Sequence, residues 1–332
     1  MTEPQHFIES GLRGKLSRDV PMRKYTSWRT GGNAERMYQP ADLEDLRMFL
    51  RGLPADEPLY AVGLGSNLLV RDGGFHGTVL LLHGTMSALH IEMDGSVYVG
   101  AGVPGAKLAR FAAAHNLHGA EFFVGVPGTL GGMLAMNAGC YGSETWEKVL
   151  RVLTMNRRGE VHVRPTRDYE IGYRHVVLIE KGEEGRGKGE EATASEGFTL
   201  LPSPLPLPQE FFVAAWLQFT KGDGELARQE IKALLSKRIA SQPLSLPNAG
   251  SVFRNPPDDH AARLIEQSGL KGRRIGGAQV SEKHANFIVN LGDATAADIE
   301  NLINEVQKMV EERTGIKLQP EVKIIGEYAS HG

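Results

Sequence analysis

The amino-acid sequence predicts a mixed α and β fold in which the C-terminal part forms a separate α+β domain. Short apolar runs typical of strands alternate with segments that place apolar residues at helical spacing. Many of these runs end at glycine, of which the chain has 40. A length of 332 residues is enough for two or three domains with a sizeable core.

The first predicted helix covers 41–52 and ends at Gly52, a typical stop signal. Its apolar residues share one helical face, and they are Leu43, Leu46, Phe49 and Leu50. Further helices are predicted over 105–116 and 225–240, and strands over 58–62, 78–82, 96–103, 149–156 and 211–219.

The last predicted helix runs from a Thr295 cap to Gly315. Apolar side chains keep helical spacing along it, at Ile299, Leu302, Ile303, Val306 and Val310. This helix belongs to the predicted C-terminal α+β domain.

Residues 181–209 differ from the sequence around them. KGEEGRGKGEEATASEG is charged and glycine-rich, and LPSPLPLP then repeats proline at every second residue. This composition predicts an exposed, mobile insertion.

Composition and charge exclude several classes of protein. The chain is 41% apolar and 23% charged, with a formal charge of −3 and a pI near 6.4, so no basic excess is available for a nucleic acid. Cys140 is the single cysteine, which rules out an intramolecular disulfide. The N-terminus MTEPQHFIES has no apolar signal region, and no apolar run reaches membrane-spanning length. We therefore expect a cytoplasmic soluble protein without membrane insertion.

The first glycine-rich segment is GLGSNLLV, at 63–70. It follows a predicted strand, as a dinucleotide-binding fingerprint does, but the third glycine of that fingerprint is missing. Residues 68–70 also favour a strand over a helix, so a Rossmann site is disfavoured.

The second glycine-rich segment is GVPGTLGGMLAMNAGCYG, at 125–142. It lacks the lysine of a P-loop, but its glycines allow backbone N–H groups to approach an anion. If Thr129 to Ala138 is helical, its dipole adds to the anion site. Each segment alone is compatible with a simple tight turn, whereas the two together favour a dinucleotide-type cofactor.

The segment NAGSVFRNP, at 248–256, places Ser251 between a glycine and two apolar residues. Serine beside glycine is most often a turn residue. The segment lacks the second glycine of a nucleophile elbow, so a serine hydrolase is disfavoured. His115 and His118 are three residues apart with no third ligand in view, which is typical of a helix surface, and no metal is expected.

Four further segments complete a series: SWRTGGNAE (27–35), IGYR (171–174), GGAQVSEKHANFIVN (276–290) and LQPEVKIIG (318–326). In their order, and over nearly the whole chain, the segments resemble the UDP-N-acetylenolpyruvoylglucosamine reductase family. The glycine-rich segments also resemble the wider group of FAD-binding domains shared with vanillyl-alcohol oxidase, so they alone imply only FAD. The serine, arginine and glutamate motifs are specific to the reductase.

The resemblance implies a vanillyl-alcohol-oxidase-type (PCMH) FAD-binding domain of two α/β subdomains, at 1–85 and 86–221, followed by a C-terminal α+β substrate-binding domain at 222–332. It implies that FAD is held noncovalently. The implied FAD-binding residues are Gly63, Gly65, Ser66, Asn67, Leu68, Gly125, Pro127, Gly128, Thr129, Gly131, Gly132, Asn137, Ala138 and Gly139.

The family implies a reaction in two halves, in which NADPH reduces FAD and the flavin N5 delivers hydride to C3 of the enolpyruvyl ether of UDP-N-acetylglucosamine. The product would be UDP-N-acetylmuramate, a peptidoglycan precursor. Hydride addition requires that the negative charge beside the carboxylate be stabilised and that C2 receive a proton. By resemblance, Ser251 donates that proton, while Arg174 and Glu321 hold the substrate carboxylate. Outside this context, Arg174 would be interpreted as a surface ion-pair residue and Glu321 as an exposed strand carboxylate.

Several further residues are predicted to contact the UDP-sugar substrate: Arg238, Arg254, Asn255, Gln279, Lys283 and His284. One form of the family carries a tyrosine-bearing loop between the arginine and the serine. Residues 181–209 contain no tyrosine, and the chain resembles the form without this loop. An FAD-linked oxidase of the same fold and a non-catalytic nucleotide-sugar binding protein are the alternatives, and the oligomeric state is left open.

Overall fold

The computed structural model describes residues 11–179 and 210–329. The described helices are α1 (Leu43–Gly52), α2 (Gly105–Ala114), α3 (Leu130–Ala135), α4 (Gly224–Ser241), α5 (Ala261–Gln267) and α6 (Ala296–Thr314). The described strands are β1 (Lys15–Pro21), β2 (Asn33–Gln39), β3 (Leu59–Val62), β4 (Leu68–Val70), β5 (Phe75–Leu81), β6 (Leu89–Ile91), β7 (Val97–Gly100), β8 (Leu117–His118), β9 (Gly139–Cys140), β10 (Ser143–Glu144), β11 (Val149–Asn156), β12 (Val161–Pro165), β13 (Tyr169–Gly172), β14 (His175–Leu178), β15 (Glu210–Leu217), β16 (Thr220–Lys221), β17 (Arg274–Ile275), β18 (Ala278–Val280), β19 (Ile288–Asn290) and β20 (Lys323–Ile325). The insertion predicted at 181–209 lies outside the described residues.

The first sheet has the strand order β1-β2-β5-β3. β1 is antiparallel to β2, whereas β2, β5 and β3 run parallel. Helix α1 buries Phe49 and Leu50 in the same core as Tyr38 of β2. The predicted first helix is therefore confirmed, and its cap is Asp42, whose carboxylate accepts a hydrogen bond from Asp45 N.

The second sheet has the order β12-β11-β15-β7-β6, with every neighbouring pair antiparallel. Its central strands β11 and β15 confirm the strands predicted at 149–156 and 211–219. Helix α2 packs Leu108 and Ala112 into the same core as Val152 and Leu217.

His115 and His118 were predicted to lie on one helix surface. This prediction is wrong for His118. The helix ends at Ala114, and Asn116 adopts a left-handed backbone with a φ of 56°. This conformation turns the chain and places His118 in the short strand β8.

The C-terminal part combines the antiparallel sheet β17-β18-β19 with helices α5 and α6. Thr295 and Asp298 form a capping box at the start of α6, which confirms the predicted cap. The helix ends as predicted at Gly315, whose φ of 73° suits a residue without a side chain. The predicted apolar face of α6 is buried in one core with residues of β18 and β19.

Two contacts join this C-terminal part to the first sheet region. β20 pairs in parallel with β4, so that Ile324 lies opposite Leu69. Trp28 is fully buried, and its indole Nε1 donates to Ile288 O at 2.8 Å. Both contacts bring the glycine-rich segment at 63–70 against the C-terminal motifs.

Helix α4 packs on the second sheet region, since its buried residues Ala227 and Ile231 belong to the core of α2 and β15. The boundaries at 85 and 221 stay predictions. No described helix combines the length and the apolar composition that crossing a bilayer requires.

Candidate active site

The two glycine-rich segments lie against each other. A Cβ added at Gly63 would come within 2.1 Å of Thr129 Oγ1, and one at Gly128 would lie 3.5 Å from Ser66 Oγ. Gly65 has a φ of 60°, and a Cβ there would lie 1.9 Å from Tyr25 O. Glycine is therefore required where the backbones approach, and this close cradle fits the approach of a backbone to a dinucleotide.

Helix α3 is shorter than the predicted run from Thr129 to Ala138 and contributes less to an anion site. Leu130 N donates to Val103 O and Gly131 N to Ala101 O, both at 2.9 Å. These N–H groups are therefore used within the protein. An anion would therefore be bound by the backbone N–H groups of the glycine segments more than by the dipole of helix α3.

The end of the second glycine-rich segment is tied to the hairpin that carries Arg174. Asn137 is buried, and its Nδ2 donates to Glu144 Oε2 at 2.7 Å and to Gly172 O at 3.1 Å. Ala138 N donates to Met133 O at 2.9 Å. The predicted flavin segment and the predicted catalytic arginine thus share one hydrogen-bonded unit.

Cys140 also lies in the second glycine-rich segment, and its thiol is half-buried. Its Sγ donates to Phe122 O at 3.2 Å, and burial raises the pKa of this thiol to about 11. The thiolate is therefore scarce at neutral pH, which disfavours covalent attachment of a cofactor.

Arg174 occupies the two-residue turn between β13 and β14, because Gly172 pairs with His175. Its φ of 54° is left-handed and turns the side chain toward the glycine segment. Nη1 donates to Asn137 O at 3.2 Å and Nη2 to Gly139 O at 3.3 Å. The guanidinium is therefore held by two backbone carbonyls.

Glu321 completes an ion pair with this arginine, since Arg174 Nε lies 2.6 Å from Glu321 Oε1. The glutamate side chain is only 12% exposed. Burial raises the pKa of Glu321, although the charges of Arg174, Arg254 and Lys323 oppose that shift. A raised pKa favours the protonated form of this carboxyl more than in an exposed glutamate.

The backbone places Ser251 beside Glu321. Glu321 N donates to Val252 O at 2.7 Å, and Val252 N donates to Asn286 O at 2.9 Å. On the other side, Asn67 Nδ2 donates to Glu321 O at 3.1 Å. The structure therefore brings the segments of Ser251, Arg174 and Glu321 together next to the first glycine segment.

A cleft of about 210 Å³ opens between the glycine segments and the Ser251 motif. Its lining residues come from four segments, and they are Ser27, Arg29, Ser66, Pro127, Arg238, Leu244, Ser245, Leu246, Pro247, Asn248 and Gly250. The stretch 244–248 and the pair Ser27 and Arg29 were not predicted as site residues. SWRTGGNAE was part of the resemblance, but no chemistry had been assigned to it.

Arg238 lines this cleft, and Lys283, which does not line it, bonds to the residue that follows Arg238. Arg238 donates to Gln242 Oε1 at 3.0 Å and to Val124 O at 3.5 Å, and among the described residues no carboxylate pairs with it. Burial lowers the pKa of Arg238. Lys283 Nζ donates to Ile239 O at 2.7 Å, next to Arg238 in the chain. A desolvated cation bonded only to neutral groups favours an anionic ligand.

The remaining predicted substrate residues lie outside the lining of this cleft. Arg254 has a buried Nε that finds no hydrogen-bond partner in the described part of the chain, and it contributes positive charge at Glu321. Asn255 N lies 3.5 Å from Tyr173 Oη, and its Oδ1 accepts from Ala261 N at 3.1 Å.

Gln279 and His284 are held within the C-terminal part. Gln279 is buried in β18 and donates to Gly272 O at 3.3 Å. The His284 ring packs edge-on against Phe287 at 4.6 Å, and burial lowers the pKa of its imidazole. Contact between these two side chains and the substrate stays a prediction.

Lys323 was not predicted as a site residue, but it lies close to the predicted catalytic glutamate. It stands two residues after Glu321 in the LQPEVKIIG segment, and its N donates to Asn67 O at 3.0 Å. Desolvation, with the nearby charge of Arg254, lowers the pKa of Lys323. The alternation of a strand, which puts residues two apart on one face, is the signal that could have identified it.

Two family models and several full-length relatives match this chain. The model for the C-terminal domain of UDP-N-acetylenolpyruvoylglucosamine reductase matches residues 242–325, and an FAD binding domain model matches residues 34–164. The reductase of Nitrosospira multiformis is 54% identical over 321 residues, covering 96% of this chain and 90% of the relative. The reductase of Thiobacillus denitrificans is 51% identical, covering 95% of this chain and 94% of the relative.

A solved structure extends the similarity to the fold. The crystal structure of the reductase from Thermus caldophilus superposes with a TM-score of 0.73 at 29% identity, covering 94% of this chain and 99% of that chain. These findings confirm the predicted α+β class with an FAD-binding domain. The chain therefore belongs to the UDP-N-acetylenolpyruvoylglucosamine reductase family.

Proposed function

We propose that the protein catalyses the NADPH-dependent reduction of UDP-N-acetylenolpyruvoylglucosamine to UDP-N-acetylmuramate in the cytoplasm. The observation that carries the proposal is the close contact of Arg174 Nε with Glu321 Oε1, which lies between the glycine-rich segments and the Ser251 backbone. When bound, FAD supplies the hydride that C3 of the substrate alkene accepts, after reduction by NADPH.

Arg174 and Glu321 hold the substrate carboxylate and stabilise the charge that develops beside it. The guanidinium of Arg174 is fixed by Asn137 O and Gly139 O, so little reorganisation is needed when negative charge appears. A protonated Glu321 donates a hydrogen bond to the same carboxylate, and its raised pKa supports that state. An ionised glutamate would repel the developing charge.

Ser251 donates the proton to C2. A hydroxyl is a weak acid, so its donation depends on the surrounding positive charge and on a fixed position. Arg254 and Lys323 lie near Glu321 and supply positive charge beside the serine segment. The hydrogen bond from Glu321 N to Val252 O holds the backbone next to Ser251 against the backbone of the glutamate.

The glycine-rich segments hold FAD noncovalently, and the cleft takes the nucleotide-sugar. Arg238, with Lys283 beside it, meets the diphosphate, because Arg238 has only neutral hydrogen-bond partners among the described residues. Arg29 lines the same cleft. Two phosphate groups would supply the negative charge that the protein does not.

The test is a steady-state assay of the purified protein. Flavin absorbance together with NADPH oxidation that requires the enolpyruvyl UDP-sugar is the expected result. Oxygen-dependent turnover of an alcohol or sugar without NADPH would indicate an FAD-linked oxidase, and binding of the UDP-sugar without turnover would indicate a binding protein. Either result contradicts the proposal. Arg174→Lys is the matched variant. The lysine keeps the positive charge, but its ammonium group cannot contact Asn137 O, Gly139 O and Glu321 at the same time.

A further inference from the structure

A second cluster of ligand-type side chains lies away from the catalytic pair. His118 in β8, Glu121 at the start of the 3-10 helix Glu121–Gly125, and Glu230 on α4 place one ligand atom each within 4.8 Å of one another. None of these side chains lines the cleft. His118 had no third ligand in the sequence, and the fold supplies Glu230 from more than one hundred residues later in the chain.

The tautomer of His118 is set by its surroundings. His118 Nε2 lies 2.8 Å from Asp223 O, and because a carbonyl can only accept, Nε2 carries the proton. The other ring nitrogen, Nδ1, is therefore the one whose lone pair can bind a ligand. Gly222 fixes the ring plane, since a Cβ there would lie 2.0 Å from His118 Cδ2. A backbone carbonyl bonded to the second ring nitrogen is the usual support of a metal-binding histidine.

Glu121 is oriented toward that lone pair. The residue is only 6% exposed, and its Oε2 accepts from Gly119 N at 2.8 Å. Among the described residues its buried Oε1 has no hydrogen-bond partner, and it lies 3.3 Å from His118 Nδ1. The ring nitrogen and the buried carboxylate oxygen therefore face each other and can both bind one cation.

The geometry fits a small divalent cation. Two ligands of a tetrahedral zinc ion, each at about 2.0–2.2 Å, lie about 3.3–3.6 Å apart. The separation of His118 Nδ1 and Glu121 Oε1 is 3.3 Å. The exposed Glu230 side chain can close on the ion by rotation, and water takes the fourth position.

We propose that His118, Glu121 and Glu230 form a binding site for a divalent transition-metal cation such as Zn²⁺. The nitrogen ligand selects against Mg²⁺ and Ca²⁺, which prefer oxygen ligands. The ion joins the 3-10 helix, which leads into the segment at 125–142, to helix α4. The same two elements are linked by the bond from Arg238 Nη1 to Val124 O, so the cation stabilises the contact that positions Arg238.

The experiment is a calorimetric titration of the untagged, FAD-loaded protein with Zn²⁺ in the presence of excess Mg²⁺. We expect one equivalent to bind with a micromolar or lower dissociation constant, and the melting temperature to rise. Glu230→Gln should weaken this binding at least tenfold without disturbing the fold, because Glu230 is exposed. His118→Gln should do the same, and Glu225→Gln, on the same helix outside the cluster, should bind as the wild type does.

X-ray absorption at the zinc edge provides a readout independent of stability. One imidazole nitrogen together with oxygen ligands at about 2.0–2.2 Å is expected. Unchanged binding in both Glu230→Gln and His118→Gln, displacement of Zn²⁺ by Mg²⁺, or no binding by the wild type would each overturn the proposal.

Discussion

Arg174 Nε lies 2.6 Å from Glu321 Oε1, although the two residues belong to different segments of the chain. Arg174 reaches this position from a left-handed turn, and Glu321 from the residues that lead into β20. The pair is held by backbone bonds to Asn137 O and Val252 O. A buried carboxyl with a raised pKa and a fixed guanidinium thus meet at one point of the site.

The titration of Glu321 should be visible in the free energy of unfolding. Because burial raises its pKa above the ordinary 4.5, the folded protein holds this proton more tightly than the unfolded chain. The stabilisation is present below the unfolded pKa and is lost as pH rises through the folded pKa. Glu321→Gln cannot titrate, so the wild type should lose stability relative to this variant as pH rises above about 4.5.

Urea unfolding of both proteins at a series of pH values measures this difference. Glu225→Gln is the control, because Glu225 is an exposed carboxylate that bonds to Arg228 at 2.9 Å outside the site. A difference between wild type and Glu321→Gln that does not change with pH would show that burial does not favour the protonated carboxyl.

Ser251→Ala should affect only the second half of the reaction. FAD binding and flavin reduction by NADPH do not use the hydroxyl and should persist. Reoxidation of the reduced flavin by substrate should slow by about 10²- to 10⁴-fold, the usual contribution of a positioned general acid. Ser251→Cys should recover part of the rate, because a thiol can donate a proton from nearly the same place.

Stopped-flow flavin absorbance separates the two halves. Equal slowing of both, or an unchanged second half, would remove Ser251 from the role of proton donor and leave it as a turn residue.

Gly63→Ala should weaken FAD binding, because the new Cβ would lie 2.1 Å from Thr129 Oγ1 and push the glycine segments apart. We expect the dissociation constant for FAD to rise at least tenfold, or about 1.4 kcal/mol. Removing Oγ1 in Gly63→Ala/Thr129→Ala should restore part of the affinity. Fluorescence titration of the apoprotein with FAD measures both, and unchanged affinity in the single variant would place FAD elsewhere.

FAD should be released from the protein by acid denaturation, because we expect no covalent bond between Cys140 and the flavin. With a pKa of about 11, the thiol is ionised in only about one molecule in ten thousand at pH 7. Flavin should appear in the supernatant after precipitation. Flavin that stays with the pellet in the wild type but not in Cys140→Ser would contradict this expectation.

Deletion of residues 183–207, outside the described part of the chain, should leave flavin binding and turnover nearly unchanged. Long surface insertions alter the loop-closure free energy by only about 0.6 kcal/mol per doubling of length. Steady-state kinetics of the deleted and full chains provide the comparison. A large rise in the substrate KM on deletion would instead identify the insertion as a lid.

The amino-acid sequence by itself determined the local elements of the protein. The periodic apolar face of α6, its Thr295 cap and its Gly315 end were predictable, because helix spacing, caps and left-handed ends depend on residues close in the chain. The central strands β11 and β15 were predictable for the same reason. Ser251, Arg174 and Glu321 became candidates only through the order of their motifs, since each residue alone is typical of an ordinary turn or surface.

Only the tertiary structure decided which of these side chains meet. The pair of Arg174 and Glu321 depends on the left-handed turn after Gly172 and on the pairing of β20 with β4, which no local pattern encodes. The burial that raises the pKa of Glu321 has the same origin. His118 shows this most clearly: its third candidate ligand, Glu230, comes from α4, so a spacing rule along the chain cannot find it. Contacts between distant segments arise from the packing of whole elements, and packing is set by the summed burial of many residues instead of by any one motif.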